Sequence, residues 1–180
     1  PVRVLSSFND GNGTLISLGE ENMENALVSG IAFQKDQVKF TLHGVGDIPG
    51  TAFKILGPIS EADIEVDVIV QNVSVDGKTD FTFTVSSDEQ ATVQNIIESI
   101  KKDVNFRELI IDSSIAKVSI VGAGMRSQAG VASAAFRALS ENDVNIQIIC
   151  TSEIKITMVI DESLVEKAVQ VLHDEFNLDE

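Results

Sequence analysis

Residues 38–72 read VKFTLHGVGDIPGTAFKILGPISEADIEVDVIVQN, and residues 118–152 read VSIVGAGMRSQAGVASAAFRALSENDVNIQIICTS. Set one above the other, the two stretches align without a gap at a constant offset of 80. Eight of the 35 positions are identical: Val38/Val118, Gly44/Gly124, Gly50/Gly130, Ala52/Ala132, Ser60/Ser140, Glu61/Glu141, Asp63/Asp143 and Ile69/Ile149. Others exchange like for like, as Ile64 with Val144 and Val68 with Ile148. A repeat of this kind means one supersecondary unit built twice. Each copy reads as a strand, a Gly-containing loop, a helix and a second strand.

Working outward from the first copy, Val38 to Leu42 alternates apolar and polar residues, the period of a half-buried strand. Gly44 to Gly50 holds three Gly and one Pro and reads as a loop. Thr51 to Ala62 has helical periodicity, with Gly57-Pro58 expected to kink or interrupt it. Ile64, Val66, Val68 and Val70 alternate strictly as a strand, and Asp76-Gly77 turns the chain into a further strand at Phe81, Phe83 and Val85. Ser87 with Gln90 forms a capping-box pattern before a helix whose inner face is Val93, Ile96, Ile97 and Ile100. Leu109 to Ile111 supplies a short last strand, so the unit is βαββαβ.

The second copy repeats this order. Val118 to Val121 is a strand, Gly122 and Gly124 mark the loop, and Val131, Ala134, Ala135 and Ala138 share one helical face. Strands follow at Val144–Thr151 and Ile154–Ile160, and a last helix carries Ser163 and Glu166 as a capping box. Its inner face is Val165, Ala168, Val169, Leu172 and Phe176, after which the sequence ends one strand short. The spare strand-like segment is Ala26–Phe33, upstream of the first copy. Either it crosses over to complete the second unit, or an open sheet edge is completed by a partner chain. We take the first alternative. The expected fold is α+β: two ferredoxin-like βαββαβ modules, the first inserted in the second. Residues 1–20 form a linker, 21–35 the strand completing the second module, 36–113 the first module and 114–180 the second.

The chain has 180 residues, 43% hydrophobic and 23% charged, enough to bury a core. Thirteen Lys and Arg face 28 Asp and Glu, a formal charge of −15. Nucleic acid and anionic membrane surfaces are poor partners for such a chain. The sequence begins at Pro1, which fits an excised segment or a processed subunit, and its one cysteine fits a reducing cytoplasm. His43 and His173 are read as strand-end and helix-surface residues, and Cys150, between Ile149 and Thr151, as a buried inert thiol. No metal is expected. Gly122-Ala-Gly124 precedes a helix, but Ser127 stands where a dinucleotide-binding loop has its third glycine.

A helix start preceded by Gly offers N–H groups and a positive dipole end to a carboxylate. Asp47, in the first Gly loop, is placed to take an ammonium group. Together they suit an α-amino acid. Gln71 and Thr151 occupy equivalent places at the end of each second strand. The plainer alternative, that Asp47 and Gln71 only cap backbone turns, stays open.

Four segments together resemble the regulatory region of aspartate kinase: Gly46–Ala52, Asp67–Asn72, Val121–Ser127 and Thr151–Ile154. Ser6–Phe8 and Gly13–Ile16 resemble the family's junction after its kinase domain. The resemblance spans essentially the whole chain. It implies tandem ACT domains, interleaved as argued above, in an enzyme that phosphorylates the aspartate side chain with ATP on the route to lysine, threonine and methionine. The kinase motif Lys-Phe-Gly-Gly is absent from this sequence. The chain is therefore expected to be catalytically inactive and to hold no cofactor, ATP and Mg belonging to the absent kinase domain or α subunit. It is expected to act as a cytoplasmic homodimer binding end-product amino acids for feedback inhibition. By the same resemblance, a threonine site comprises Asp47, Pro49, Gly50, Ala52, Gln71 and Ser74, walled by Asn145 and Ile146 of the other module. A second, lysine-binding site comprises Met125, Ser127, Gln128, Val131, Ala132, Ser152 and Glu153, with Glu65 and Val66 opposite. Gln128-Ala129 replaces the His-Pro common in the family. The competing readings are a free-standing ACT sensor of another enzyme or transcription regulator, and a small ferredoxin-like enzyme, which the poverty of His, Cys and Tyr disfavours.

Overall fold

Two long antiparallel strands organise the molecule. A computed structural model describes residues 2–5, 14–16, 28–72, 76–122 and 130–178. Within the stretch read as a linker, β1 (Val2–Val4) and β2 (Thr14–Ile16) pair as a separate two-stranded ladder. The main body runs β3 (Gly30–Gly46), α1 (Thr51–Glu61), β4 (Asp67–Gln71), β5 (Lys78–Ser86), α2 (Gln90–Ser99), α3 (Lys101–Val104), β6 (Glu108–Val121), α4 (Val131–Glu141), β7 (Ile146–Thr151), β8 (Lys155–Asp161) and α5 (Val165–Glu175). Its six strands form one antiparallel sheet in the order β4-β5-β3-β6-β8-β7.

Strands that the sequence pattern separates are fused. The segments read at 26–33 and 38–42 form the single strand β3, within the described residues, and those at 109–111 and 118–121 form β6. Gly30–Gln34 pairs with Lys117–Val121 beside the second module, and Lys39–His43 pairs with Glu108–Asp112 beside the first. The upstream segment thus supplies the fourth strand of the second module, and the first module is inserted in the second. The Gly44–Gly50 loop is shorter than expected, because the strand runs through Gly46.

Two irregularities divide the β3–β6 ribbon into halves. Register shifts flank Gln37, Asp36 adopts a left-handed φ of 58°, and Ser114 N–H donates to Asp112 Oδ1 at 3.0 Å. Bulges of this kind bend a strand and let it pass from one sheet layer to another. The outcome is visible in a small cluster in which Val68 and Val70 of β4 pack with Ile115, Ile148 and Val159. In a flat sheet, β4 and β7 would lie about 24 Å apart, five strand spacings. The sheet is therefore folded on itself, with the two half-sheets back to back.

The helices cover the opposite faces. Ile55, Ile59, Val93 and Ile97 close the first core over Phe40, Phe81 and Phe83, where Phe40 and Phe83 stack at 5.4 Å. Ala135, Leu139, Ala168 and Leu172 close the second over Val118, Ile120 and Met158. Several identities of the repeat fall on chain punctuation. Gly50 and Gly130 are the helix N-caps, at φ 94° and 114°, which only Gly adopts without strain. Asp63 and Asp143 end the same helices at φ 59° and 55°, their N–H groups donating to Ser60 and Ser140 carbonyls at 3.0 and 3.2 Å.

Other local expectations are corrected. Gly57-Pro58 does not interrupt α1, which continues through Pro58 to Glu61. Strand β4 begins at Asp67 rather than Ile64, and a bulge between Asp67 and Val70 breaks the strict alternation. The helices following β5 and β8 start with 3₁₀ turns instead of capping boxes. At the first, the N-cap positions fall on Ser86 and Glu89 rather than Ser87, and neither makes a side-chain cap; at the second it is Asp161 that accepts from Ser163 N–H at 2.9 Å. Cys150 is exposed, because β7 is an outer strand. Among the described residues, no helix is long and apolar enough to cross a membrane.

Candidate functional site

The turn from β3 into α1 is built almost wholly from backbone. Asp47 N–H donates to Gly77 O at 3.0 Å, Ile48 N–H to Gly46 O at 3.0 Å and Thr51 N–H to Ile48 O at 3.2 Å. The Thr51 hydroxyl turns back onto Gly46 O at 2.9 Å. Asp47, Ile48, Pro49 and Gly50 remain exposed, as does Ala52 in the first turn of α1. No side chain caps this helix and its first turn holds no acid. Its positive dipole end is thus left for an outside anion.

Gln71 ends β4 in register with Phe81. The next carbonyl, of Asn72, accepts from the Thr79 hydroxyl, and Thr79 is in turn in register with Val45. Strand β5 thereby holds the ends of β3 and β4 on either side of itself. Asp47, Pro49, Gly50, Ala52 and Gln71 come to one end of the first half-sheet; Ser74 lies outside the described residues. Asn145 and Ile146 line a depression of about 480 Å³ with Phe136, Ser140, Asp143 and Val144, none of them a residue of the first Gly loop.

The second module reproduces the frame. Gly130 caps α4 without a side-chain bond, and Ala134 N–H reaches Gly130 O at 2.8 Å, as Lys54 N–H reaches Gly50 O at 3.0 Å. Val131 is buried and Ala132 half-buried. Ser152 and Glu153 are exposed in the β7–β8 turn, where Ser152 N–H donates to Lys155 O at 2.8 Å. The adjoining turn is tied by Gly122 N–H to Ile154 O at 3.0 Å. Met125, Ser127 and Gln128 lie outside the described residues. Glu65 is exposed and faces a cleft between the modules with Gln34, Gln37, Asp67 and Lys117. Val66 is half-buried against the first core.

That cleft holds charged groups that the periodicity did not single out. Lys117, 6% exposed at its side chain, places Nζ 2.5 Å from Asp67 Oδ2. Burial disfavours the ionised Asp67 carboxylate. The hydrogen bond and charge of Lys117, with the Val68 N–H, outweigh burial and hold Asp67 below its usual range. The available signal was the one charged residue in the run Ile115–Val121, whose other members are apolar except Ser119. His43 is likewise engaged, its Nδ1 2.8 Å from Asp80 Oδ2. Among the described residues, no group of three or more His, Cys, Asp or Glu side chains is placed to hold a metal ion.

Two interleaved ferredoxin-like modules, each with a glycine-capped helix start beside an open strand end, define a tandem ACT protein. A family profile described as "ACT domain" matches residues 118–176. The chain is 46% identical to a chain in the crystal structure of aspartokinase alpha and beta subunits, covering 84% of this chain and 99% of that one at a TM-score of 0.79. The regulatory subunit of aspartate kinase from Thermus thermophilus, in its ligand-free form, is 33% identical, with 83% and 99% covered and the same TM-score. Among curated proteins, the aspartate kinase of Pseudomonas fluorescens (strain SBW25) is 57% identical over 180 residues. That match takes in 99% of this chain, which spans 44% of the relative's length. The chain belongs to the aspartate kinase family and corresponds to its regulatory part.

Proposed function

We propose that this chain senses threonine and lysine as end products and relays their binding to an aspartate kinase catalytic domain or α subunit, which forms 4-phospho-L-aspartate from ATP and L-aspartate. The observation that carries this reading is the repeated pair of helix N-caps, Gly50 and Gly130, each left without a side-chain cap at the end of a half-sheet. A ligand carboxylate supplies the missing anion at such a cap. At the first cap, exposed Asp47 matches the ammonium of a bound amino acid, and Gln71 offers amide contacts. At the second, Glu153 lies in the turn beside the loop and suits a lysine side chain.

The division of the chain into junction 1–20, completing strand 21–35 and modules 36–113 and 114–180 belongs to the same proposal. So does a homodimer in the cytoplasm. Edge strands β4 and β7 carry Ile69 and Ile149, 49% and 46% exposed at equivalent places of the repeat. Pairing β4 of one copy with β7 of a second removes both edges from water. It also brings the partner's Asn145 and Ile146 toward the first Gly loop, as the threonine site requires.

Thermal melts of the chain with threonine, lysine and an unrelated amino acid test the reading. Ligand at one hundred times its dissociation constant stabilises the folded state by about 2.7 kcal/mol. A rise in Tm with threonine or lysine, absent with the control, is expected. No shift with either at millimolar concentration contradicts the proposal. The isolated chain is expected to form no aspartyl phosphate from ATP and aspartate.

A further inference from the structure

The back-to-back packing of the half-sheets is fastened by two polar contacts that mirror each other. Asp67, the first residue of edge strand β4, accepts from Lys117 on β6 in the second module. Gln147, near the start of edge strand β7, accepts through Oε1 from Lys39 on β3 in the first module. Asp67 and Gln147 are equivalent under the offset of 80, and each lysine lies on the opening strand of its own module. In the sheet order, each contact spans three strand spacings, about 14 Å, which only the folded-over sheet brings within a lysine's reach. The apolar cluster of Val68, Ile115 and Val159 lies between the layers.

The first contact also holds a strained residue. Val68 is 5% exposed and sits at φ 44°, a region costly for a β-branched side chain. Asp67 stabilises it directly, accepting from Val68 N–H through Oδ1 at 2.8 Å, while Thr84 Oγ1 donates to Asp67 O at 3.0 Å. One carboxylate thus fixes both the bulge that aims Val68 into the other module and the buried lysine beneath it. Lys39 is anchored as well, 3.1 Å from Asp112 at the ribbon bend.

We propose that the Asp67–Lys117 and Gln147–Lys39 contacts form one reciprocal clasp that sets the orientation of the two modules and couples their effector loops. The coupling half rests on the effector reading above. Strand β4 is five residues long, with the clasp at Asp67 and the candidate effector residue Gln71 at its other end. Strand β7 repeats this over six residues, from Ile146 to Thr151, beside Ser152 and Glu153. A displacement of either strand end by a ligand reaches the opposite module through the clasp. The clasp residues are positioning residues and need not touch ligand.

Hydrogen exchange on the full chain tests the clasp without any ligand. Gln147→Ala alters an exposed side chain, so folding is expected to survive. It should speed exchange of the Val68 and Val70 amides, in the other module, about tenfold; Lys117→Met should do the same to the Ile148 and Ile149 amides. The reversed pair Asp67→Lys with Lys117→Asp should restore protection at β7. Effects confined to the module that carries the substitution would overturn the clasp, as would a reversed pair no better than Lys117→Met alone. A second arm titrates threonine with and without saturating lysine, and Gln147→Ala should bring the ratio of the two affinities toward one. An unchanged ratio would overturn the coupling. Failure of the parent chain to bind either amino acid would overturn the effector reading and the coupling with it, while the exchange arm still decides the clasp.

Discussion

The two modules share a frame and differ in filling. Gly50 and Gly130 start matching helices, and Asp63 and Asp143 end them in the same left-handed turn. Between these points the cores diverge. The first is aromatic, with Phe40, Phe81, Phe83 and Phe106 buried against β-branched residues. The second holds Ala116, Ala135 and Ala168, with the aliphatic Ile120, Leu139, Met158 and Ile160 as its largest fully buried side chains, and its helices α4 and α5 pack directly on each other. Chain punctuation thus sets the fold, while any filling of suitable volume and period completes it. The loops diverge too. Asp47 in the first has Ser127 as its counterpart in the second, so only the first Gly loop carries its own acid.

Core truncation gives the largest test of this contrast. Phe83→Ala removes a fully buried, stacked ring and should cost about 3–5 kcal/mol, mainly in the first module. Ala135→Leu overpacks the small-residue layer of the second and should cost about 1–3 kcal/mol. Denaturant melts followed by amide exchange would report which half loosens first. An equal loss of protection in both cores after Phe83→Ala would show one cooperative core instead of two.

The shared caps should respond alike. An added Cβ at Gly50 or Gly130 meets nothing within 4 Å, so substitution there is limited by backbone strain alone. Gly50→Ala and Gly130→Ala should each destabilise by about 1–2 kcal/mol. Gly57→Ala, inside α1, should have the opposite sign. Its Cβ would lie 3.6 Å from the Phe53 ring, ordinary contact, and the gain in helix preference is about 0.5–1 kcal/mol. Equal signs at Gly50 and Gly57 would remove the left-handed cap from the account.

The smallest effect expected is in acid. Gly44 N–H at 2.9 Å, aided by the His43 hydrogen bond and charge, holds Asp80 below its usual value of 3.8. A carboxyl depressed on folding contributes stability that is present above that value and lost as pH falls through its folded pKa. Asp80→Asn should therefore flatten part of the stability decline below about pH 4 and leave neutral-pH melting little changed, because Asp80 is exposed. An unchanged acid limb would mean that Asp80 titrates alike in both states.

Much of this was legible in the sequence. The offset of 80, the strands flanking each glycine loop and the upstream segment that completes the second module were all readable from period and punctuation. The fusion of segments into β3 and β6 was not, because a bulge at Asp36 looks like any polar break between two strands. Nor was the folding-over of the sheet. Val68 and Val70 alternate as though in a flat strand, and only the left-handed Val68 turns both toward the second module. Cys150 misled for a related reason: an outer strand keeps an apolar pattern without burying every member. At the candidate site, Asp47 and Gln71 could be brought together by repeat logic. Asn145 and Ile146 instead line a depression with Phe136 and Ser140 in the second module, and the period within each copy does not encode where its neighbours lie.

The central claim, that the first Gly loop receives an amino acid, is tested most directly by calorimetric titration of threonine into the chain and into its Asp47→Ala variant. Charge-assisted hydrogen bonds are worth about 1.5–3 kcal/mol, so losing one weakens binding about ten- to a hundredfold. Because Asp47 is exposed and its backbone N–H, not its side chain, ties the turn to Gly77, the melting temperature should stay the same. Saturable binding by the parent chain, nearly lost in the variant at unchanged Tm, is the predicted result. Equal affinity in both proteins would contradict it and leave Asp47 as an ordinary loop residue.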